Sequence, residues 1–246
     1  MARIRIHVGT AGWAIPREVA AAFPAVGSGL ARYAAVLGAL EINSTFWRRH
    51  RPSTFERWRA TVPRTFRFAV KLPRTITHEA ELAGARALLA DFFADVAPLG
   101  GTLGPILVQL PPSLAFDARR AGAFFRAMRV HTSGPIACEP RNASWFSPRA
   151  DALLVAHDVA RVAADPPSPE GAESPGGARS MVYLRLHGSP RRYYSSYDDA
   201  QIAFLAGRVR AAAKASTVWC MFDNTASGAA ASDALRLMRA LATPDA

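Results

Sequence analysis

Lysine is nearly missing from this chain. Of the 30 basic residues only Lys71 and Lys214 are lysine, and the remaining 28 are arginine. Together with abundant alanine, that bias is what a GC-rich coding sequence produces. The net charge of +11 therefore does not by itself identify a polyanionic partner. The arginines are scattered, with local pairs at Arg48-Arg49, Arg119-Arg120 and Arg191-Arg192 and no basic tail. This pattern fits a solvated surface better than a dedicated nucleic-acid face, although a nucleic-acid partner stays open. Cysteine is limited to Cys138 and Cys220, both in apolar runs, and buried thiols are expected. No apolar run approaches about 18 residues, so neither a transmembrane helix nor a membrane partner is expected. The opening "MARIRIHVGTAGW" has no signal-peptide core, which leads to the expectation of a cytoplasmic protein. A glycine-rich phosphate loop is also lacking, since "GTAGWA" has no third glycine, and no cofactor is expected.

What is present is an alternation. Strand-like runs fall at 4–8, 39–43, 66–71, 104–110, 134–139, 159–164, 181–187 and 217–223. Amphipathic helical runs fall at 28–38, 53–62, 79–97, 117–129, 148–157, 198–214 and 227–242. Ser53 with Glu56 and Asp198 with Gln201 read as capping boxes, and Ser147-Pro148 as N-cap and first helical position. The segment "DPPSPEGAESPGGARS", residues 165–180, has no apolar period. Over 166–180 a mobile Pro/Gly-rich loop is expected in place of the sixth crossover helix. Eight strands alternating with helices predict an α/β fold, a TIM-like (β/α)8 barrel forming a single domain over 1–246.

Strand parity then separates two faces. Leu40 and Ile42 oppose Glu41 and Asn43; Phe66, Phe68 and Val70 oppose Arg67, Ala69 and Lys71. Ile136 and Cys138 oppose Ala137 and Glu139; Val182, Leu184 and Leu186 oppose Tyr183, Arg185 and His187. Strands of a parallel barrel are covered on both sides, so ionic side chains on one parity call for a site or an ion-pair network inside the barrel. Their position at strand C-terminal ends is where barrel enzymes carry their chemistry. Asp223 and Asn224, after the last strand, are expected at the rim.

The segments that carry these residues resemble those of the YecE-like family, domain of unknown function 72. They are "GTAGW" (9–13), "EINSTFWR" (41–48), "VKLPRTITH" (70–78), "LGPILVQLPPS" (103–113), "EPRNASW" (139–145) and "YLRLHG" (183–188), in order along nearly the whole chain. The resemblance implies a TIM-like barrel with a polar cavity at one end, and no particular reaction. The chain departs from the family pattern at Ala11, where serine is usual, and at Trp47, where tyrosine is usual. Asp223, Thr225 and Asp233 also stand where other residues are common.

These readings give a candidate enzyme acting by acid/base chemistry, as a hydrolase or isomerase, on a small polar anionic molecule, phosphorylated or carboxylated and sugar-like. Glu41, Glu139, His187, His78 and Lys71 are the catalytic candidates. Thr10, Trp13, Asn43, Thr45, Phe46, Gln109, Arg141, Arg185 and Asn224 are the substrate-binding candidates. Lys71, Arg141 and Arg185 are the expected anion holders. A divalent metal is disfavoured, because these three cations share one end with His78, His187, Glu41, Glu139 and Asp165. "SPRRYYSSY" (189–197) is a candidate lid. A nucleic-acid-binding barrel or nuclease and a non-catalytic ligand-binding barrel are the alternatives. The oligomeric state is not legible.

Overall fold

The computed structural model describes residues 6–243. The chain runs β1 (Ile6–Ala11), α1 (Gly29–Ala34), β2 (Ala39–Ile42), α2 (Ser44–Trp47), α3 (Pro52–Thr61), β3 (Arg67–Lys71) and α4 (Arg86–Val96). It continues through β4 (Leu103–Gln109), α5 (Ala118–His131), β5 (Ile136–Glu139), α6 (Pro148–Ala156), β6 (Val159–Arg161) and β7 (Ala163–Asp165). The last elements are β8 (Gly176–Gly177), β9 (Met181–Leu186), α7 (Asp199–Ala213), β10 (Thr217–Phe222) and α8 (Ala229–Ala242).

The sheet order is β7-β9-β10-β1-β2-β3-β4-β5-β6-β8. Only Val162 separates β6 from β7, and its N–H donates to the Cys138 carbonyl at 2.8 Å. The first half of this bent strand pairs with β5 and the second half with β9, so one strand joins both ends of the ladder and closes it. Every pairing is parallel except that of β6 with the two-residue β8. The result is the TIM-like α/β barrel that the alternation predicts.

Two apolar clusters follow strand parity. Leu40, Ile42, Phe68, Val70, Val108, Cys138 and Leu184 join the helices in the outer core. Ala39, Ala69, Leu107, Ala137, Ala160, Tyr183, Trp219 and Met221 fill the barrel interior. Both cysteines are free and buried. Trp219 stacks on its in-register neighbours, His7 of β1 at 4.4 Å and Tyr183 of β9 at 6.2 Å, and its far edge reaches across the barrel to β4. A methyl group on Gly104 of β4 would sit 2.5 Å from the Trp219 ring, so glycine there makes room for the indole. The lower barrel is thus plugged by rings and small residues, and polar groups are left to the upper end.

Several boundaries differ from the sequence reading. β1 extends through Gly9 to Ala11, because a Cβ at Gly9 would collide with the Ala39 carbonyl and glycine allows that close approach. Residues 4 and 5 of the expected first strand lie outside the described residues. Helix α4 begins at Arg86 rather than at 79, since a π-helical turn at Thr75–Glu79 and positive φ at Glu81 and Leu82 interrupt it. The expected Ser53–Glu56 capping box does not form; Arg51 is the N-cap and Pro52 takes the first helical position. The box at Asp198 and Gln201 does form, and Ser147 caps α6 with Pro148 behind it. No helix forms over 166–180. The segment is tied down by the Gly177 N–H donating to Asp151 at 2.7 Å and by burial of Ala172 and Ala178. Among the described residues no helix is long and apolar enough to cross a membrane.

Candidate functional site

The ionic parity converges on Arg185. Its Nε and Nη2 meet Glu41 Oε2 and Oε1 at 3.1 and 2.6 Å, its Nη1 meets Glu139 Oε2 at 2.6 Å, and Nη2 also reaches Asp223 Oδ2 at 3.0 Å. Four strands supply this contact, β2, β5, β9 and the end of β10. Arg185 is 1 % exposed and Glu41 0 %, so the guanidinium is out of reach of an incoming ligand unless the cluster opens. Tyr183, one turn of the pleat below, donates its hydroxyl to Glu41 Oε2 at 2.7 Å. Burial first and Glu41 next push that phenol well above its ordinary value, which keeps it a donor.

His187 sits between two carboxylates. Its Nδ1 is 3.0 Å from Asp223 Oδ2 and its Nε2 is 3.2 Å from Glu139 Oε1. Burial alone raises both acids, but the cations outweigh it. Glu139 is held well below the ordinary carboxylate range by Arg185, His187 and Arg141, and Asp223 is lowered by Arg185, His187 and Lys71. Both acids are thus held as carboxylates, one against each ring nitrogen of His187.

Two cations lie on the solvent side. Arg141 Nη2 meets Glu139 Oε1 at 3.2 Å and its guanidinium lies 3.4–3.5 Å from the Tyr193 hydroxyl. Lys71 ends β3, and its Nζ rests 3.9 Å from the centroid of the Phe46 ring. Among the described residues its ammonium makes no ion pair and no hydrogen bond, because the nearby carboxylates are already held by Arg185, Arg141 and His187. Burial first and Arg185 next lower its amine to about 8, against the pull of Glu41, Glu139 and Asp223. His78 stands edge-on to the same Phe46 ring at 4.9 Å and bonds Thr77 Oγ1 at 2.8 Å. Burial, then Lys71, Arg74 and Arg141, lower its pKa.

The other candidates are placed more peripherally. Thr45 donates to the Lys71 carbonyl at 2.7 Å and to the Ile42 carbonyl at 3.0 Å, tying α2 to the end of β3. Thr10 is buried against the Gly12 carbonyl and the Tyr33 hydroxyl. Gln109 donates to the Leu110 carbonyl at 3.0 Å. Asn43 reaches Asp223 Oδ1 at 3.5 Å and lines an open cleft with Trp13, Ser44, Arg48, His50 and Trp58. Asn224 points away from the cluster: its Nδ2 donates to the Ser195 carbonyl and to Asp233 at 2.9 and 2.7 Å. Trp145 is a loop anchor, its Nε1 on the Leu114 carbonyl at 3.0 Å. Asp165 receives the His187 N–H and the Tyr197 hydroxyl on its backbone carbonyl.

Asp223 belongs to the central cluster, whereas the sequence reading placed it only at the rim. The signal was available: residues 219, 221 and 223 share the inward parity, and 224 does not. Tyr193 joins the site from the segment 189–197, whose mixed arginine and tyrosine residues are its signal in the sequence. It covers His187 edge-on at 5.5 Å, with its N–H on the His187 carbonyl at 2.5 Å, so the segment 189–197 lies over the cluster. Among the described residues no group of three or more His, Cys, Asp or Glu is arranged to hold a metal ion. The space between Glu139, Asp223 and Glu41 is filled by the Arg185 guanidinium.

A closed parallel barrel with an ionic cluster at the C-terminal ends of its strands defines a TIM-like barrel protein with its polar site at the mouth. The profile of the family described as "Protein of unknown function DUF72" matches residues 7–246, and the chain belongs to that family. It is 31% identical over 106 residues to the UPF0759 protein YecE of Escherichia coli K12, covering 43% of this chain and 38% of that protein. It is 26% identical over 151 residues to the UPF0759 protein YunF of Bacillus subtilis, covering 58% and 53%. These alignments thus span about two fifths to about half of the relatives' length. Among solved structures, a DUF72 family protein (EF0366) from Enterococcus faecalis V583 superposes with a TM-score of 0.82 at 22% identity, over 98% of this chain and 97% of that one. Another, TM1631 from Thermotoga maritima MSB8, gives 0.79 at 23% identity over 97% and 100%. Both likenesses establish the fold.

Proposed function

We propose that this protein is a barrel enzyme that carries out acid/base chemistry on a small polar anion bound at the mouth. The observation that carries the reading is His187 lodged between Asp223 and Glu139, with Arg141 and Lys71 on the solvent side of the same cluster. Buried ionic groups stabilise a fold weakly compared with apolar packing, which argues for their retention in a functional role. Arg141 and Lys71 meet the anion. Glu139 and His187, nearly as buried as Arg185, exchange protons with it once the Tyr193 segment above them moves aside, and Asp223 orients the imidazole. Glu41 and Arg185 act as positioning groups, since both Glu41 oxygens are engaged by Arg185 and Tyr183. Strand parity suggests an acid/base role for Glu41 and an anion-holding role for Arg185; the buried pairing favours the positioning role for each.

The test is a panel of phosphorylated and carboxylated sugars and oxo-acids, with binding read by NMR and turnover by product formation. Arg141→Ala is expected to weaken binding at least tenfold, and Glu139→Gln to abolish turnover with binding retained. Anion binding that is absent, or indifferent to Arg141→Ala, overturns the reading. Ligand binding without turnover in the wild type makes the barrel a binder. Tight oligonucleotide binding with a steep salt dependence, in place of small anions, moves the assignment to a nucleic-acid surface.

A further inference from the structure

We propose that Lys71 is a nucleophilic amine that condenses with the carbonyl carbon of a small oxo-acid or aldehyde to form an imine. The inference rests on ligand entry at the barrel mouth, as above, and narrows the substrate class to carbonyl compounds.

Position is the first support. Lys71 is the last residue of β3, half-buried at the strand end where a barrel presents its reactive groups. Its freedom is the second. Glu41, Glu139 and Asp223 are close enough to act on its charge, yet each is already engaged, by Arg185, Arg141 or His187. An amine tied into an ion pair must break it before attacking; Lys71 has only the Phe46 face to leave. The third support is chemistry. Arginine stays protonated in proteins and cannot serve as an amine nucleophile, whereas a desolvated lysine can. The Phe46 ring favours the ammonium, while burial and Arg185 favour the free amine. A lysine with a pKa of about 8 holds roughly two orders of magnitude more free amine at neutral pH than one at its ordinary value.

The step balances without a co-reactant. The lysine nitrogen attacks the carbonyl carbon, a C–N bond forms, and nitrogen gives up its protons as the carbonyl oxygen gains two. The C–O bond then breaks and the oxygen leaves as water. Arg141 bonds Glu139 and, like Lys71, acts on His78, so it would hold the carboxylate of an oxo-acid.

Lys214, exposed at the end of α7, is a reference within the same chain. The full chain is incubated at pH 7 with propanal or with pyruvate, each with sodium cyanoborohydride. The hydride traps the imine as a stable secondary amine, read by peptide mass spectrometry. Lys71 is expected to be modified at least tenfold faster than Lys214 by propanal, and Lys71→Arg to lose that adduct while keeping the wild-type circular dichroism spectrum. Propanal labelling of Lys71 no faster than that of Lys214 overturns the inference, with no variant needed. Pyruvate addresses the underlying reading separately. Labelling of Lys71 that saturates with pyruvate and falls in Arg141→Ala supports both. Fast labelling by propanal with no saturation by pyruvate keeps the nucleophile and counts against the anion site.

Discussion

Glu41 grips Arg185 with both carboxylate oxygens, at 2.6 and 3.1 Å, and neither residue is more than 1 % exposed. The two lie on β2 and β9, which are not neighbours in the sheet, so the contact crosses the barrel interior. Removing one partner leaves the other charged and buried. Glu41→Ala is therefore expected to lower stability by about 3–5 kcal/mol, measured by urea unfolding. A loss below about 1 kcal/mol would show that water enters the cluster freely.

Acid should weaken the fold through the same cluster. Glu139 and Asp223 both have folded-state pKa values below their unfolded ones. Their contribution is fully present above the unfolded values, near 4, and is lost as pH falls through the folded ones. Stability measured from pH 6 downwards should drop below about pH 4, with a shallower drop in Glu139→Gln. Identical acid profiles for the two proteins would contradict the assignment.

Lys71 has the opposite linkage. Its folded-state amine is lowered to about 8, so folding disfavours its protonated form. The penalty is fully present below pH 8 and fades as pH rises towards the unfolded value near 10.4. Lys71→Met should raise stability at pH 7 by about 0.5–2 kcal/mol, the pattern of a functional residue kept at a cost to the fold. The gain should shrink when the pair is compared at pH 10. A destabilised variant at pH 7 would mean that the ammonium is well paired.

The plug at the lower end of the barrel is steric. Gly104→Ala places a methyl group 2.5 Å from the Trp219 ring and should cost about 1–3 kcal/mol by overpacking. Trp219→Phe should recover part of that loss in the double variant. Additive losses in calorimetry would show that the two positions do not press on each other.

Asp233 anchors the segment over the site. It accepts from Ser196 Oγ at 2.6 Å, the Tyr197 N–H at 3.2 Å and Asn224 Nδ2 at 2.7 Å, and it is fully buried. Asp233→Ala should speed hydrogen exchange at the Tyr197 amide by at least tenfold relative to the β-strands. Unchanged exchange there would place the anchor elsewhere.

Parity made much of the site legible. Glu41, Glu139, Arg185 and His187 alternate with apolar neighbours, and on a strand covered on both sides such charges must meet a ligand or a counterion inside the barrel. The eight-strand alternation was legible for the same reason. Partner identity was not. Nothing in the sequence separates an arginine that meets a ligand from one enclosed by three carboxylates, because that depends on which strands face each other across the barrel. Asn224 illustrates the limit: it was a candidate by proximity to the last strand, yet its side chain holds the segment 189–197 through Ser195 and Asp233. The start of α4 is not legible in the sequence, because Leu82 and Ala85 keep a helical spacing although the backbone before Arg86 is irregular.

The sequence by itself determined the barrel, the inward face and the kinds of charge upon it, since period-two patterning and strand count are local properties. Tertiary structure alone decided that Arg185 closes on its counterions while Lys71 stays outside the ion pairs, since carboxylates from distant strands satisfy the nearest and best-shaped cation first.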